Sequence, residues 1–157
     1  MFSASCHYGL QAMFYIAHHS TDSKNVDLSE IATEQNIPKH FLSKILQLLV
    51  KQKLLVSMKG PTGGYHLIRP AEEITLLEIV EAIDGLDIFN QCGTGFKECD
   101  PQDPCPIHDD YKKIRDRVYQ LFNEKTLVCF SEEMINGEEI DTLIASDQNQ
   151  LQGGSST

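Results

Sequence analysis

At 157 residues, with 41% apolar side chains and no tryptophan, the chain is long enough for one domain of ordinary size with extensions, and no apolar run approaches the roughly 18 residues that span a bilayer. The formal charge of −10 speaks against a polyanionic partner only when read whole: residues 1–70 hold seven Lys or Arg against four Asp or Glu, +3, leaving −13 for the remainder, and a basic front with an acidic back suits a polyanion bound in one orientation. Five cysteines, an odd number, with no recognisable export leader argue against a disulfide framework and for thiol or metal chemistry in a reducing compartment, so a soluble, cytoplasmic protein is expected.

From Ser5 to His19, Tyr8, Ala12, Tyr15 and His19 recur at three- and four-residue steps and predict a largely buried first helix. The polar run 20–26 reverses the chain, and Asp27 opens a short second helix, with Glu30 expected to reach back as in a capping box. After the break at Asn36-Ile-Pro38 a third helix carries a wide apolar face of Phe41, Leu42, Ile45, Leu46, Leu49 and Val50. Its other face holds His40, Ser43, Lys44, Gln47 and Lys51, groups able to meet base edges and phosphates in a major groove. Taken alone, such a strip is also what any solvated helix face looks like. Context decides between the two. Leu54 to Met58 and His66 to Arg69 read as strands around Lys59-Gly60-Pro61-Thr62-Gly63-Gly64-Tyr65, a glycine-rich turn whose tip can reach a sugar-phosphate backbone or the minor groove. Helix, turn, helix and hairpin make a winged helix. A phosphate-cradling nucleotide loop is the competing reading of these glycines, but the Walker spacing is absent and no helix opens after them.

Thr75 to Gly85 predicts a fourth helix, with Leu76, Ile79, Val80 and Ile83 inward, packed under the wing and aiming the loop that follows. That loop is broken by Gly93, Gly95, Pro101, Pro104 and Pro106 and holds Cys92, Cys99 and Cys105, then His108. Thiolates and imidazole are soft ligands suited to an iron-sulfur cluster or zinc, and such a loop can wrap them around one centre. Beyond His108, Tyr111, Ile114, Val118, Leu121 and Phe122 form an apolar stripe on a helix of about four turns. A second copy of the helix would cover it, as a two-fold dimer reading a palindrome requires, and packing back on its own domain is the alternative. Cys129 is expected to pack as a small hydrophobe, and the acidic, polar end of the chain to lack order.

Two further readings of the cysteines stay open: a structural zinc site, and a thiol switch in which two cysteines form a disulfide without metal. An enzyme fits poorly, because no nucleophile-base pair, paired carboxylates or nucleotide motif is present.

The opening Ser5-x-x-Tyr8-Gly9-Leu10-x-Ala12-Met13, the Phe41-Leu-Ser-Lys-Ile-Leu segment, Lys59 to Tyr65 and the three-cysteine loop before a long helix together resemble the Rrf2 family of bacterial winged-helix transcription regulators, of the iron-sulfur (IscR, NsrR and RirA) type, over roughly residues 1–135. The resemblance implies a mainly α fold with a small β-hairpin wing. It divides the chain into a winged helix-turn-helix domain at 1–85, a cluster-binding loop at 86–108, a dimerisation helix region at 109–135 and a tail at 136–157. It also implies a homodimer on palindromic promoter DNA and an iron-sulfur cluster on Cys92, Cys99 and Cys105, of the 2Fe-2S kind or alternatively 4Fe-4S. Some members take a histidine three residues after the third cysteine as fourth ligand, where His108 stands. Others use a carboxylate near the partner's amino terminus, and His7 aligns there; Cys6 beside it is a further candidate that the usual family pattern does not supply. Lys59 stands where the family more often has arginine, whose flat fork an ammonium lacks.

Overall fold

The computed structural model describes residues 1–95 and 100–130. Among them, five α-helices and one antiparallel hairpin follow in the order α1 (Ala4–His19), α2 (Leu28–Glu34), α3 (Lys39–Lys51), β1 (Leu55–Met58), β2 (Gly64–Leu67), α4 (Leu76–Asp84) and α5 (His108–Glu124). Short 3-10 turns stand at Ala71–Glu73, Asp87–Phe89 and Leu127–Cys129. This is a winged helix with an additional long helix. No helix among the described residues is long and apolar enough to cross a membrane.

The helix ends follow local chemistry. Ser3 caps α1, its hydroxyl accepting from the Cys6 N–H at 3.0 Å while its own N–H donates to Asp84 at 2.8 Å, which ties the start of α1 to the end of α4. Asp27 caps α2 by accepting from the Ser29 N–H at 2.8 Å. Glu30 does not close a box there, contrary to expectation, because it accepts the Tyr15 hydroxyl from α1 at 3.0 Å instead. The reciprocal box forms on α4, between Thr75 and Glu78. Asn36 and Lys53 adopt left-handed conformations, φ 51° and 59°, just past α2 and α3. They bring the Ile37 N–H back to the Ala32 carbonyl and the Leu54 N–H to the Leu49 carbonyl, both at 2.9 Å, closing each helix.

Met13, Ile16, Val26, Ile31, Leu42, Leu46, Leu49, Leu55, Ile74, Ile79 and Leu127 are fully buried and form the main core between α1, α2, α3, α4 and the wing root. Each such aliphatic side chain contributes roughly 1.5–3 kcal/mol on leaving water. A second apolar cluster of Cys6, Leu77, Val80 and Phe89 lies between α1, α4 and the following turn. Val118 and Phe122 of α5 pack on that cluster, whereas Ile114 and Leu121 remain 59% and 40% exposed. The predicted stripe of α5 therefore splits: one edge seals its own domain and the other faces outward.

In the hairpin Leu55 pairs with Leu67, Val56 with His66, Ser57 with Tyr65 and Met58 with Gly64, so the second strand starts two residues earlier than predicted. Val26 and Tyr65 exchange two backbone hydrogen bonds, at 2.9 and 2.8 Å, adding one rung to the wing from the segment before α2. Gly64 is required at that rung: its φ is +135° and an added Cβ would lie 2.5 Å from the Val26 carbonyl oxygen. Two other expectations fail. Phe41 is 48% exposed and lies tilted against the His40 ring, because it stands at the border of the α3 apolar face. Cys129 is exposed, sitting on a 3-10 turn past the end of α5 where no helix face among the described residues covers it. The polar tail at 136–157, and the end of the 109–135 region, lie outside the described residues.

Candidate nucleic-acid interface and thiol centre

Between Glu34 and Glu72 the chain has six Lys or Arg and no Asp or Glu, and this stretch contains all of α3 and both wing strands. The positive charge of residues 1–70 is thus concentrated on α3 and the wing. On α3, His40, Lys44, Gln47 and Lys51 are exposed and Ser43 is half-buried; on the wing, Lys59, Gly60, Pro61 and Thr62 are exposed and Gly63 and Tyr65 half-buried. The apolar face of α3 (Leu42, Ile45, Leu46 and Leu49) anchors it in the core, leaving these polar groups on its outer side.

Two contacts unforeseen in the sequence set the wing. Asn25 donates from Nδ2 to the Thr62 carbonyl at 3.0 Å, and its Oδ1 accepts from His66 Nδ1 at 2.7 Å, which places the proton of that imidazole on Nδ1. At the root, Arg69 donates to the Glu73 carbonyl at 2.7 Å and pairs with Glu78 of α4. The wing is thereby tied to α4, which packs on α1, α3 and α5. Asn25 had appeared only as part of a polar turn, and a single asparagine carries no signal of its tertiary partner.

In the cysteine loop, Cys92 Sγ and Cys105 Sγ are 3.6 Å apart. Two thiolates on one tetrahedral metal with bonds of about 2.3 Å stand about 3.8 Å apart, so this pair has the spacing of a shared metal. Both are partly accessible. The Thr94 hydroxyl, 3.0 Å from Cys92 Sγ, together with the Thr94 N–H and the neighbouring Cys105 and Gly95, brings the Cys92 thiol down to about 7. Cys99 lies outside the described residues. His108 is buried at the first turn of α5, its N–H donating to the Cys105 carbonyl at 2.9 Å. No three His, Cys, Asp or Glu groups among the described residues converge on one point. His7 is exposed at the amino-terminal end of α1, 6.5 Å from the Phe2 ring. Cys6 is 0% exposed in the second apolar cluster, and burial, with Asp84 nearby, pushes its thiol up to about 12. Such a thiol is a core residue and a poor ligand.

The loop is fastened to α5. Arg115, 5% exposed, donates from Nη1 to the carbonyl of Gln91, the residue before Cys92, at 2.7 Å. On the other side of Cys92, Gly93 packs so closely on the Tyr111 ring that a Cβ would come within 2.8 Å of it. Two thiols at this spacing, with the His108 imidazole three residues on in the chain, are soft ligands that suit a metal-thiolate group, and the buried guanidinium adds a positive charge beside the loop.

The family model described as "Iron-dependent Transcriptional regulator", Rrf2, matches residues 2–133. The regulator IscR of Pectobacterium atrosepticum is 31% identical over 133 residues, which is 85% of this chain and 77% of that protein. Among solved structures, CymR, the global cysteine regulator of B. subtilis, superposes with a TM-score of 0.69 at 24% identity, covering 81% of this chain and 92% of that one. T. potens IscR superposes with a TM-score of 0.63 at 25% identity, covering 82% and 83%.

Proposed function

We propose that this chain, which belongs to the Rrf2 family of DNA-binding transcriptional regulators, reads a palindromic promoter site as a cytoplasmic homodimer whose affinity is set by an iron-sulfur cluster on Cys92, Cys99, Cys105 and His108. It is a regulator and not an enzyme. The observation that carries the proposal is the 3.6 Å pair of thiols on a loop fastened to α5, in the same chain as an acid-free recognition helix and wing. His7 is the alternative fourth ligand.

In this reading residues 1–85 bind DNA, 86–108 hold the centre and 109–135 bring two copies together. His40, Ser43, Lys44, Gln47 and Lys51 enter the major groove, while Lys59, Gly60, Pro61, Thr62, Gly63 and Tyr65 set the wing on the backbone. Ile114 and Leu121, the uncovered edge of α5, face a second copy. Half-sites on a palindrome stand roughly 34–36 Å apart, so affinity depends on the distance between the two recognition helices. A bound cluster supplies one-electron exchange and lability toward oxygen, nitric oxide or low iron. The chain transmits its presence mechanically: gathering Cys92 and Cys105 fixes the loop, and Gln91, Gly93 and Cys105 pass that constraint to Arg115, Tyr111 and His108 of α5. Loss of the ligand set frees the loop and changes the spacing of the two wings.

The same thiol pair also favours a second reading, a switch without metal. Peroxide would oxidise Cys92 to a sulfenic acid with release of water, and Cys105 would then displace a second water to form the disulfide. Fluorescence anisotropy of one promoter duplex at matched salt, with cluster-loaded and metal-free protein, separates the readings. Cluster control predicts at least a tenfold difference, about 1.4 kcal/mol. Equal affinities would remove the cluster from regulation at that promoter.

A further inference from the structure

We infer that Arg115 is the resident counter-cation of the thiolate centre, holding the backbone just before Cys92 against α5 while offsetting the negative charge that the ligands bring. The inference rests on the metal-centre reading above.

Arg115 is an unusual arginine for its surroundings. Its side chain is 5% exposed, and its Nε is buried with no hydrogen-bond partner. Among the described residues no carboxylate pairs with it. Burying a guanidinium without a counter-anion costs several kcal/mol, a cost that selects for an anion nearby. It donates to the Gln91 carbonyl at 2.7 Å, and its guanidinium carbon is 5.9 Å from the centroid of the Tyr111 ring. That ring in turn carries Gly93. Arg115 and Tyr111, one helical turn apart on α5, therefore grip the residues before and after Cys92, the ligand nearest to them in sequence. In this inference the anion is the thiolate set, whose Cys92 directly follows the Gln91 carbonyl that Arg115 holds. Three thiolates on an iron-sulfide core leave a net negative charge that one-electron reduction increases, so a fixed buried cation favours the reduced form. Hydrogen-bond donors and charge near the sulfurs are among the levers that set such a potential.

The test uses the full chain purified without oxygen, with Arg115→Gln, which keeps a donor for the Gln91 carbonyl but removes the charge, and Arg115→Lys, which keeps the charge. In redox titrations followed by visible absorption, Arg115→Gln is expected to move the oxidised-to-reduced ratio at fixed potential at least tenfold toward oxidised, 59 mV for a one-electron couple. Arg115→Lys is expected to stay within threefold of the parent. A packing role alone leaves the potential in place, and an Arg115→Gln protein that titrates with the parent overturns the inference. Where a variant fails to fold, the parent suffices: the Arg115 Nε–H resonance is expected to shift and exchange more slowly when metal-free protein is loaded with zinc. An unmoved resonance overturns the inference equally. A parent that binds neither iron nor zinc fails at the earlier step, and the role of Arg115 falls with the metal-centre reading.

Discussion

Replacing Glu78 by alanine tests how the wing is held to the body of the domain. Glu78 Oε2 accepts the Thr75 N–H at 2.8 Å, the Glu78 N–H donates to Thr75 Oγ1 at 3.3 Å, and Oε1 pairs with Arg69 at the wing root. Losing the carboxylate half of the capping box costs roughly 1 kcal/mol. The ion pair, about one-third exposed on each side, adds roughly 0.2–1 kcal/mol after solvent screening. Urea unfolding at pH 7 is thus expected to show Glu78→Ala less stable by roughly 1–2 kcal/mol. The pH dependence follows from the same contacts. Burial by itself raises the carboxyl, but the Thr75 N–H and the Arg69 guanidinium outweigh it and hold Glu78 below the usual carboxylate range. A group depressed in the folded state stabilises above its unfolded value, about 4.3 for Glu, and loses that contribution as pH falls through its folded value. The gap between parent and variant should therefore be full at pH 7 and narrow in acid. A variant within roughly 0.5 kcal/mol of the parent at pH 7, the scatter of ordinary surface changes, or a gap that widens in acid, refutes the reasoning.

If Lys44 and Lys59 each hold one phosphate per protomer as proposed, Lys44→Ala or Lys59→Ala should make the slope of log affinity against log salt shallower by about 0.9 per contact, about 1.8 for a dimer; an unchanged slope excludes that lysine from the backbone. If two copies meet through α5 as proposed, Ile114→Glu with Leu121→Glu should convert dimer to monomer by light scattering, whereas retained dimer would move the interface off α5. In metal-free folded protein at pH 7, Cys92, with its thiol at about 7, is about half thiolate and should alkylate fast, slowing as pH falls through 7. Cys6, fully buried and at about 12, should stay unmodified, and peptide mapping that finds both labelled at one rate contradicts their assigned environments.

Helices with a continuous apolar face were legible from spacing alone. In α3, Leu42, Ile45, Leu46 and Leu49 repeat at three and four residues and are all buried, which leaves the polar strip outward without further information. Caps were less legible, because the pattern of a cap residue followed three later by Glu occurs at both Asp27 and Thr75. Only Thr75 closes the box, since Glu30 has a competing hydroxyl from α1 that no local window contains. The same limit explains the α5 stripe: periodicity marks its apolar residues but cannot say that Val118 and Phe122 pack on the cluster of Cys6, Leu77, Val80 and Phe89 while Ile114 and Leu121 stay exposed. Arg115 was invisible for a chemical reason. A helical arginine ordinarily reads as solvated, and its burial becomes apparent only when the Gln91 carbonyl and Tyr111 ring are in place around it.

The measurement that bears most directly on cluster control is the visible absorption spectrum, with iron and acid-labile sulfide counts, of protein purified without oxygen. The account predicts brown protein with matched iron and sulfide, and loss of both in Cys92→Ala and Cys99→Ala. Colourless protein carrying stoichiometric zinc, or no metal, would contradict it and leave the 3.6 Å thiol pair as a structural site or a switch.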